Sequence, residues 1–424
     1  MGSRSRALLA VAALISLATA PRADARRLFV PREHRTIQAA INAASPGDTV
    51  WIAAGTYPGT ITLKKPLVLF GAGGPDSTIL DGGDSVRVLH IEGVKGATVV
   101  GFKIRRGKAT SGGGIYCLRD TSLMIATCIV ERNWESGLGA WQCQDLNLME
   151  LRFVENLGSG VAFYSSTGLL RLCAFEGNKG YTGGGLALTN SRIILPMRNC
   201  SFVGNRAEGS TGGAINADSS DVQIAECQFL ENTAKVAGGA VAAMNGSQIA
   251  ISRSRLSKNR AATGGGAHSG HSTMNVAFSI FDGNRSNALG SALGFVGRRL
   301  ANINPTIANN TFYKNVAENE GATIFCESVS PEIRKNIFVL EGGQRAAGAA
   351  SASPLFECNL LHDPSGTGLA SLPSAETLVG DPLFCDPEND DFFLRDLSPA
   401  ILATCGPIGA LPKRCTTFKM APGR

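Results

Sequence analysis

Aromatic residues make up only 6% of the 424 positions, with three Trp and five Tyr among them. A conventional layered domain of this length would be short of bulky side chains for its core. Charge of either sign is also scarce: the formal net charge is +6, and Arg4, Arg6, Arg22 and Asp24 account for +2 of it. The remaining +4 is too weak a field to imply a nucleic-acid partner. After the N-terminal segment no apolar run is long enough to cross a bilayer as a helix.

What is abundant is glycine, 51 residues of it, together with eleven cysteines. The first residues, MGSRSRALLAVAALISLATAPRADA, have early Arg, an apolar run and Ala23-Asp24-Ala25. That is the layout of a secretory signal, expected over 1–25 and removed near Arg26, which places the protein outside the cytoplasm, secreted or at the cell surface.

Beyond it the chain repeats itself. Asn133, Asn156, Asn178, Asn205, Asn232, Asn259, Asn284 and Asn315 each close an apolar segment, at steps of 23, 22, 27, 27, 27, 25 and 31 residues. An elastic step with a constant inward pattern is the mark of a solenoid, whose loops can vary while its interior stays in register. In VQIAECQFLEN, Val222 and Ile224 alternate with polar residues as a half-buried strand, and Cys227 and Phe229 point to the same interior. Gly238-Gly239 then lets the backbone turn tightly before the next strand. Two or three short strands per repeat leave no room for a helical crossover. The fold expected is all-β, a single-stranded right-handed parallel β-helix with an N-terminal capping helix. Its Asn residues form a structural ladder, and Phe175, Phe202, Phe229, Phe281 and Phe312 stack inside.

FEGN, FVGN, FLEN, FDGN and FYKN, interleaved with GGAI at Gly212 and GGAV at Gly238, resemble the repeats of the polymorphic outer membrane proteins. More broadly, residues 36 to 410 resemble the right-handed β-helix, pectin-lyase-like superfamily of exported bacterial proteins. The resemblance implies the fold and leaves function open, because lyases, hydrolases, esterases and adhesins share it. No alternating strands after Leu411 supply the membrane barrel of the outer membrane proteins. Thr36 to Ala44 reads as an amphipathic helix stopped by Pro46-Gly47, resembling the cap of this superfamily. Residues 26–59 are thus cap helix and first strand, and 60–341 are coils. Residues 342–424 form an irregular edge followed by a terminal module and a Cys-containing tail. The acidic stretch Asp386 to Asp391 lacks the spacing of a calcium loop and reads as a solvated turn.

Cys128, Cys173, Cys200 and Cys227 share one coil position and are expected as buried free thiols, because parallel stacking holds their Cβ atoms too far apart to bridge. Cys405 and Cys415 can close a small loop through GPIGALPKR, with Cys385 the competing partner.

The paired acids of polygalacturonase-like hydrolases and the motifs of pectin methylesterases are missing. One constellation remains: Glu150, Arg171, Arg198, Glu226 and Arg253 fall one or two residues before the shared Cys position on five successive coils. Such a strip could grip an acidic glycan; its bland alternative is mutual ion pairing, worth less than about 1 kcal/mol per pair. Lys103, Arg105, Arg106 and Lys108 make a less ordered cluster, and His268 and His271 lack a third metal ligand. The sequence thus favours a non-enzymatic, adhesin-like protein that binds an acidic polysaccharide or cell-surface glycan along its flank, with no cofactor. The alternative is a polysaccharide lyase acting by β-elimination, with Arg171 or Arg198 as base and calcium as the cofactor.

Overall fold

The computed structural model describes residues 25–297, 304–319, 321–366, 377–411 and 415. Residues 1–24 of the expected signal segment lie outside them. The chain winds as a parallel β-solenoid with three long sheets of 15, 14 and 12 strands and a small one of six. One coil illustrates all of them: Asp221–Ala225 lies in the first sheet, Gln228–Leu230 in the second, Thr233–Ala234 in the small one and Val241–Met244 in the third. Gln248–Ser252 then pairs directly with Asp221–Ala225 to begin the next turn.

Three bends make a coil, and each is stapled to the next turn by a side chain that accepts a backbone N–H. After the second sheet the staple is asparagine. The Asn205 backbone N–H and its Nδ2 both donate to Asn232 Oδ1, at 3.0 Å each, while Nδ2 also donates to Phe175 O at 2.8 Å. The same pattern runs unbroken from Asn133 to Asn315, all of them buried. Between the third and first sheets the acceptors are Ser166, Ser191, Ser220, Ser247 and Ser272. At the bend between the first and second sheets Cys227 and Ser254 donate to Ser254 and Ser279 hydroxyls. That bend then acquires an asparagine ladder of its own, Asn310, Asn336 and Asn359.

Inside, Phe153, Phe175, Phe202 and Phe229 stack at centroid spacings of 5.1, 4.5 and 4.9 Å. Leu256 takes the position on the next coil before Phe281, Phe312 and Phe338 resume the stack. Each buried ring contributes roughly 1.5–3 kcal/mol of apolar burial. The Gly-Gly motif has a steric cause: a Cβ on Gly239 would collide with the Gly265 carbonyl, and one on Gly213 with that of Gly239. The cap helix Ile37–Ala43 starts at Thr36, whose hydroxyl accepts from Ala39 N, and buries Ile37, Ala40 and Ile41 over the open first coil.

Pairing reaches past the segment 60–341. Arg27–Val30 pairs with Thr49–Ile52 at one end, and Arg345–Ala350, Leu355–Glu357 and Leu360–His362 continue the three long sheets at the other. Small residues such as Ala346 and Ala347 still fit an inward or covered position, so the Ala-rich stretch carries coil rather than an irregular edge.

The terminal module does not extend the stack. It folds back along the second sheet, burying Phe384, Phe392, Leu394, Ala400 and Ile408 against Ile337, Val339 and Leu360. Glu388 accepts from Tyr313 Oη and Lys314 Nζ, each at 2.8 Å, and Asp390 pairs with Arg255. The acidic stretch is an exposed turn, as expected, and it also contacts the coils through Glu388 and Asp390. The disulfides also differ from the expected Cys405–Cys415 bridge: Cys405 is joined to Cys358 and Cys415 to Cys385. The intervening chain is laid along the coils, with Gly409 N bonded to Lys335 O and Ala410 N to Thr311 Oγ1. Cys415 lies beside the terminal hairpin that contains Cys385, its N–H bonded to Leu394 O. Cys128, Cys173, Cys200 and Cys227 are buried and free.

Replacing Asn205 with Leu removes the acceptor of the Asn178 backbone N–H and of one N–H of its side-chain amide, and the side-chain donor to the Phe175 carbonyl. At about 1–3 kcal/mol for each unsatisfied group, the loss of unfolding free energy is expected near or above about 3 kcal/mol; an unchanged midpoint in urea would contradict the ladder. A second expectation concerns Asp120, which takes the serine position in its row. Burial pushes its carboxyl up to about 6 despite hydrogen bonds from the Val94 and Leu118 N–H groups. The folded state therefore holds a proton that the unfolded chain releases near 3.8. Its contribution to stability should fall as pH rises from about 4 to about 6. Asp120→Asn should flatten that part of the profile relative to the native protein in equilibrium unfolding.

Candidate functional site

The strip of Glu150, Arg171, Arg198, Glu226 and Arg253 lies at the bend between the first and second sheets, but not as one row. Arg171 and Arg198 are strand residues in register with each other and with Met149 and Ala225. Glu150, Glu226 and Arg253 occupy the next position, where the backbone is left-handed, with φ of 54°, 55° and 45°. Arg198 Nη1 meets Glu226 Oε1 at 2.9 Å with both side chains exposed. The Thr127 hydroxyl donates to Glu150 at 3.4 Å, and the Arg253 guanidinium sits 5.7 Å from the Phe278 ring centroid. Arg171 is exposed and makes no ion pair among the described residues. Five charges adjacent in the repeat are therefore split between two staggered rows, with several contacts among themselves and their neighbours.

Other candidates are likewise occupied or enclosed. Arg105 and Arg106 clamp the buried Asp81 at 2.7–2.9 Å. Burial raises the Asp81 carboxyl, but the Arg106 and Arg105 hydrogen bonds outweigh it and hold the group below its usual range. His268 is buried with Nδ1 unpartnered, and burial pushes its imidazole down to about 4, so it is neutral at ordinary pH. Among the described residues no group of three or more His, Cys, Asp or Glu side chains converges on a common point.

A further concavity lies on another face, just after the asparagine ladder. It is a groove of about 760 Å³ lined by Arg106, Arg132, Trp134, Leu157, Lys179 and Arg206 together with Asp84 and Glu155. Trp134 is 42% exposed and Leu157 50%, an unusual exposure for such side chains. The Lys108 ammonium lies 4.6 Å from the Trp134 ring centroid. Arg132 pairs with Glu155 at 2.9 Å, whereas Lys179 and Arg206 make no ion pair among the described residues. Four of the lining residues, Trp134, Leu157, Lys179 and Arg206, directly follow a ladder Asn, and their backbone is tied to the preceding coil: Trp134 N, for instance, bonds to Gly107 O and Leu157 N to Asn133 O. An exposed indole beside guanidinium and ammonium groups can stack on a sugar ring and hold its polar substituents. Arg106 belongs to the cluster read from the sequence, whereas Trp134, Leu157, Lys179 and Arg206 escaped that reading, although their signal is there, one position after each repeated Asn. Spacing marks them as bend residues without saying which of them the fold leaves facing a concavity.

A model of the right handed beta helix region matches residues 77–229. With the parallel pairing above, that match decides the fold. The chain is a right-handed parallel β-helix. No curated protein matches it in sequence. Solved structures similar to this β-helix include pectate lyase Pel9A, at 14% identity over 73% of this chain and 79% of that one, with a TM-score of 0.42. The Azotobacter vinelandii mannuronan C-5 epimerase AlgE6 A-module is similar at 12% identity over 82% and 94%, with a TM-score of 0.48. The PL6 family alginate lyase AlyGC is similar at 16% identity over 85% of this chain, which spans 54% of the lyase, with a TM-score of 0.43. These likenesses are of winding alone.

The split geometry of the strip has a measurable consequence. Arg198→Gln breaks a pair whose members are both exposed, so it should change unfolding free energy by less than about 1 kcal/mol. A loss of several kcal/mol would mean that the pair anchors the bend.

Proposed function

We propose that this is an exported β-helix that binds glycan along its flank without transforming it. The observation that carries this reading is the groove, in which exposed Trp134 stands beside Arg106, Arg132, Lys179 and Arg206 on a hydrogen-bonded floor. Rigid aromatic and guanidinium groups bind with little loss of side-chain freedom, so a preformed groove of this kind suits recognition. The Arg171 and Arg198 strip is the place a lyase reading would use, with the unpaired Arg171 as base and calcium as cofactor. Lys179 and Arg206, unpaired among the described residues, share one concavity with the exposed Trp134, which favours the groove over the strip as the ligand surface.

The test is a binding titration with purified protein against a panel of plant and bacterial polysaccharides, with ultraviolet absorbance of unsaturated sugar followed in the same samples. Trp134→Ala should weaken binding about tenfold, the equivalent of roughly 1.4 kcal/mol, with the melting temperature held. Accumulating unsaturated product that disappears in Arg171→Gln would establish the lyase instead. Unaltered affinity in the Trp134 variant would remove the groove from the binding surface.

A further inference from the structure

The residues that follow the ladder asparagines form one line down the solenoid: Trp134, Leu157, Lys179, Arg206, Thr233, Arg260 and Arg285. From Lys179 onward they are paired rung to rung, Lys179 with Arg206, Arg206 with Thr233, Thr233 with Arg260 and Arg260 with Arg285. Strand pairing fixes the step at about 4.8 Å, so six steps from Trp134 to Arg285 cover about 29 Å. All four cations are exposed. Arg260 reaches Glu318 at 3.3 Å, and Lys179, Arg206 and Arg285 make no ion pair among the described residues.

Stacked like charges are costly, because directly opposed residues of the same sign on neighbouring strands repel. Elsewhere cations reach an acid on the next rung, Arg132 to Glu155, Arg152 to Glu176, Arg198 to Glu226 and Arg255 to Asp282, and where Arg171 stacks on Arg198 the second guanidinium is met by Glu226. Lys179 over Arg206 has no such acid among the described residues, and of Arg260 over Arg285 only Arg260 has one, Glu318. Packing does not require the stacked cations, since the inward neighbours Ala207, Ala234 and Ala261 already fill the interior of the small sheet.

We infer that this line is a track for a linear acidic polysaccharide lying parallel to the solenoid axis, its carboxylates taken up rung by rung and one sugar ring stacked at Trp134. The inference rests on the glycan-binding reading and adds the ligand's charge, direction and length. Guanidinium groups suit the role, since each can hold a carboxylate through two parallel hydrogen bonds. A chain with one acid per sugar ring offers anions at a step close to that of the rungs. Phosphates along one strand of duplex DNA recur at about 3.4 Å and fall out of register with rungs at about 4.8 Å.

Two double variants, Lys179→Gln with Arg206→Gln and Arg260→Gln with Arg285→Gln, would be titrated with polygalacturonate, its fully methyl-esterified form, short and long oligogalacturonates, and single-stranded DNA. The native protein should bind the long acid at least tenfold more tightly than both the neutral ester and the shortest oligomer, with affinity falling as salt is added. Each double variant should lose at least tenfold for the long acid and show a shallower salt dependence. Its melting temperature should stay level or rise, because repulsion is relieved. Equal binding of ester and acid, or unchanged affinity in both variants, would overturn the track while leaving glycan binding intact. Preference for DNA would overturn the assignment of its ligand. Failure to bind any of the sugars would overturn the track and count against the glycan reading as well.

Discussion

The hydrogen bond on which the rest depends is the one from a backbone N–H to the asparagine oxygen of the following coil. Asn232 Oδ1 accepts twice, from the backbone and the amide of Asn205, and the Asn232 amide is itself spent on Asn259 and on Phe202 O. Nothing is left unsatisfied at a bend from which water is excluded. A buried polar group without a partner would cost about 1–3 kcal/mol. The ladder therefore turns a liability of every bend into a constraint on register. Residues at equal distances from each Asn must then lie in straight lines, which is why Phe175, Phe202 and Phe229 superimpose as a stack with interplanar angles of only 1° and 7°.

Register also explains how much could be read from the sequence. Asn133 to Asn315 and the phenylalanines recur with their spacing intact, so strand, bend and interior followed from counting. Asn310, Asn336 and Asn359 did not, because they take over a position that Cys173, Cys200 and Cys227 hold earlier and so look unlike their own row. Seen in the coil, thiol, hydroxyl and amide alternate as small polar fillers at one bend, and the substitution is chemically continuous. The terminal module was legible as a unit but not as a flap. Its docking depends on contacts such as Tyr313 with Glu388, separated by 75 residues, which no local pattern records. The disulfides inherit the same difficulty, since Cys358 meets Cys405 only because the flap doubles back.

The candidate site was the least legible part. The strip from Glu150 to Arg253 was found by alignment on a shared Cys position, and alignment to within a residue is not enough at a bend. A shift of one place moves Arg171 and Arg198 onto a strand while Glu226 and Arg253 enter a left-handed turn. The charges thus fall in two staggered rows bridged by the Arg198–Glu226 pair, which disperses and partly neutralises charge that seemed concentrated. The flank after the ladder differs because its outward residues follow an invariant anchor and cannot drift.

A solenoid multiplies whatever it places on a row, and this gives charge a different meaning here than on an ordinary surface. Where signs alternate between rungs, the row neutralises itself and each exposed pair adds little to stability. Where one sign repeats, the fold carries a repulsion that its own residues do not relieve, held in place by a backbone that cannot relax. Most levels of this sequence agree with one another, from Gly-Gly turns to the inward phenylalanines, so a row that disagrees stands out as a departure from local consistency. Exposed Trp134 at the head of the same line is a second departure, since an indole contributes most to stability when buried. Two independent departures converging on one groove and one line, with the rigid ladder directly beneath them, make that flank the part of the molecule least explained by folding and most in need of a ligand.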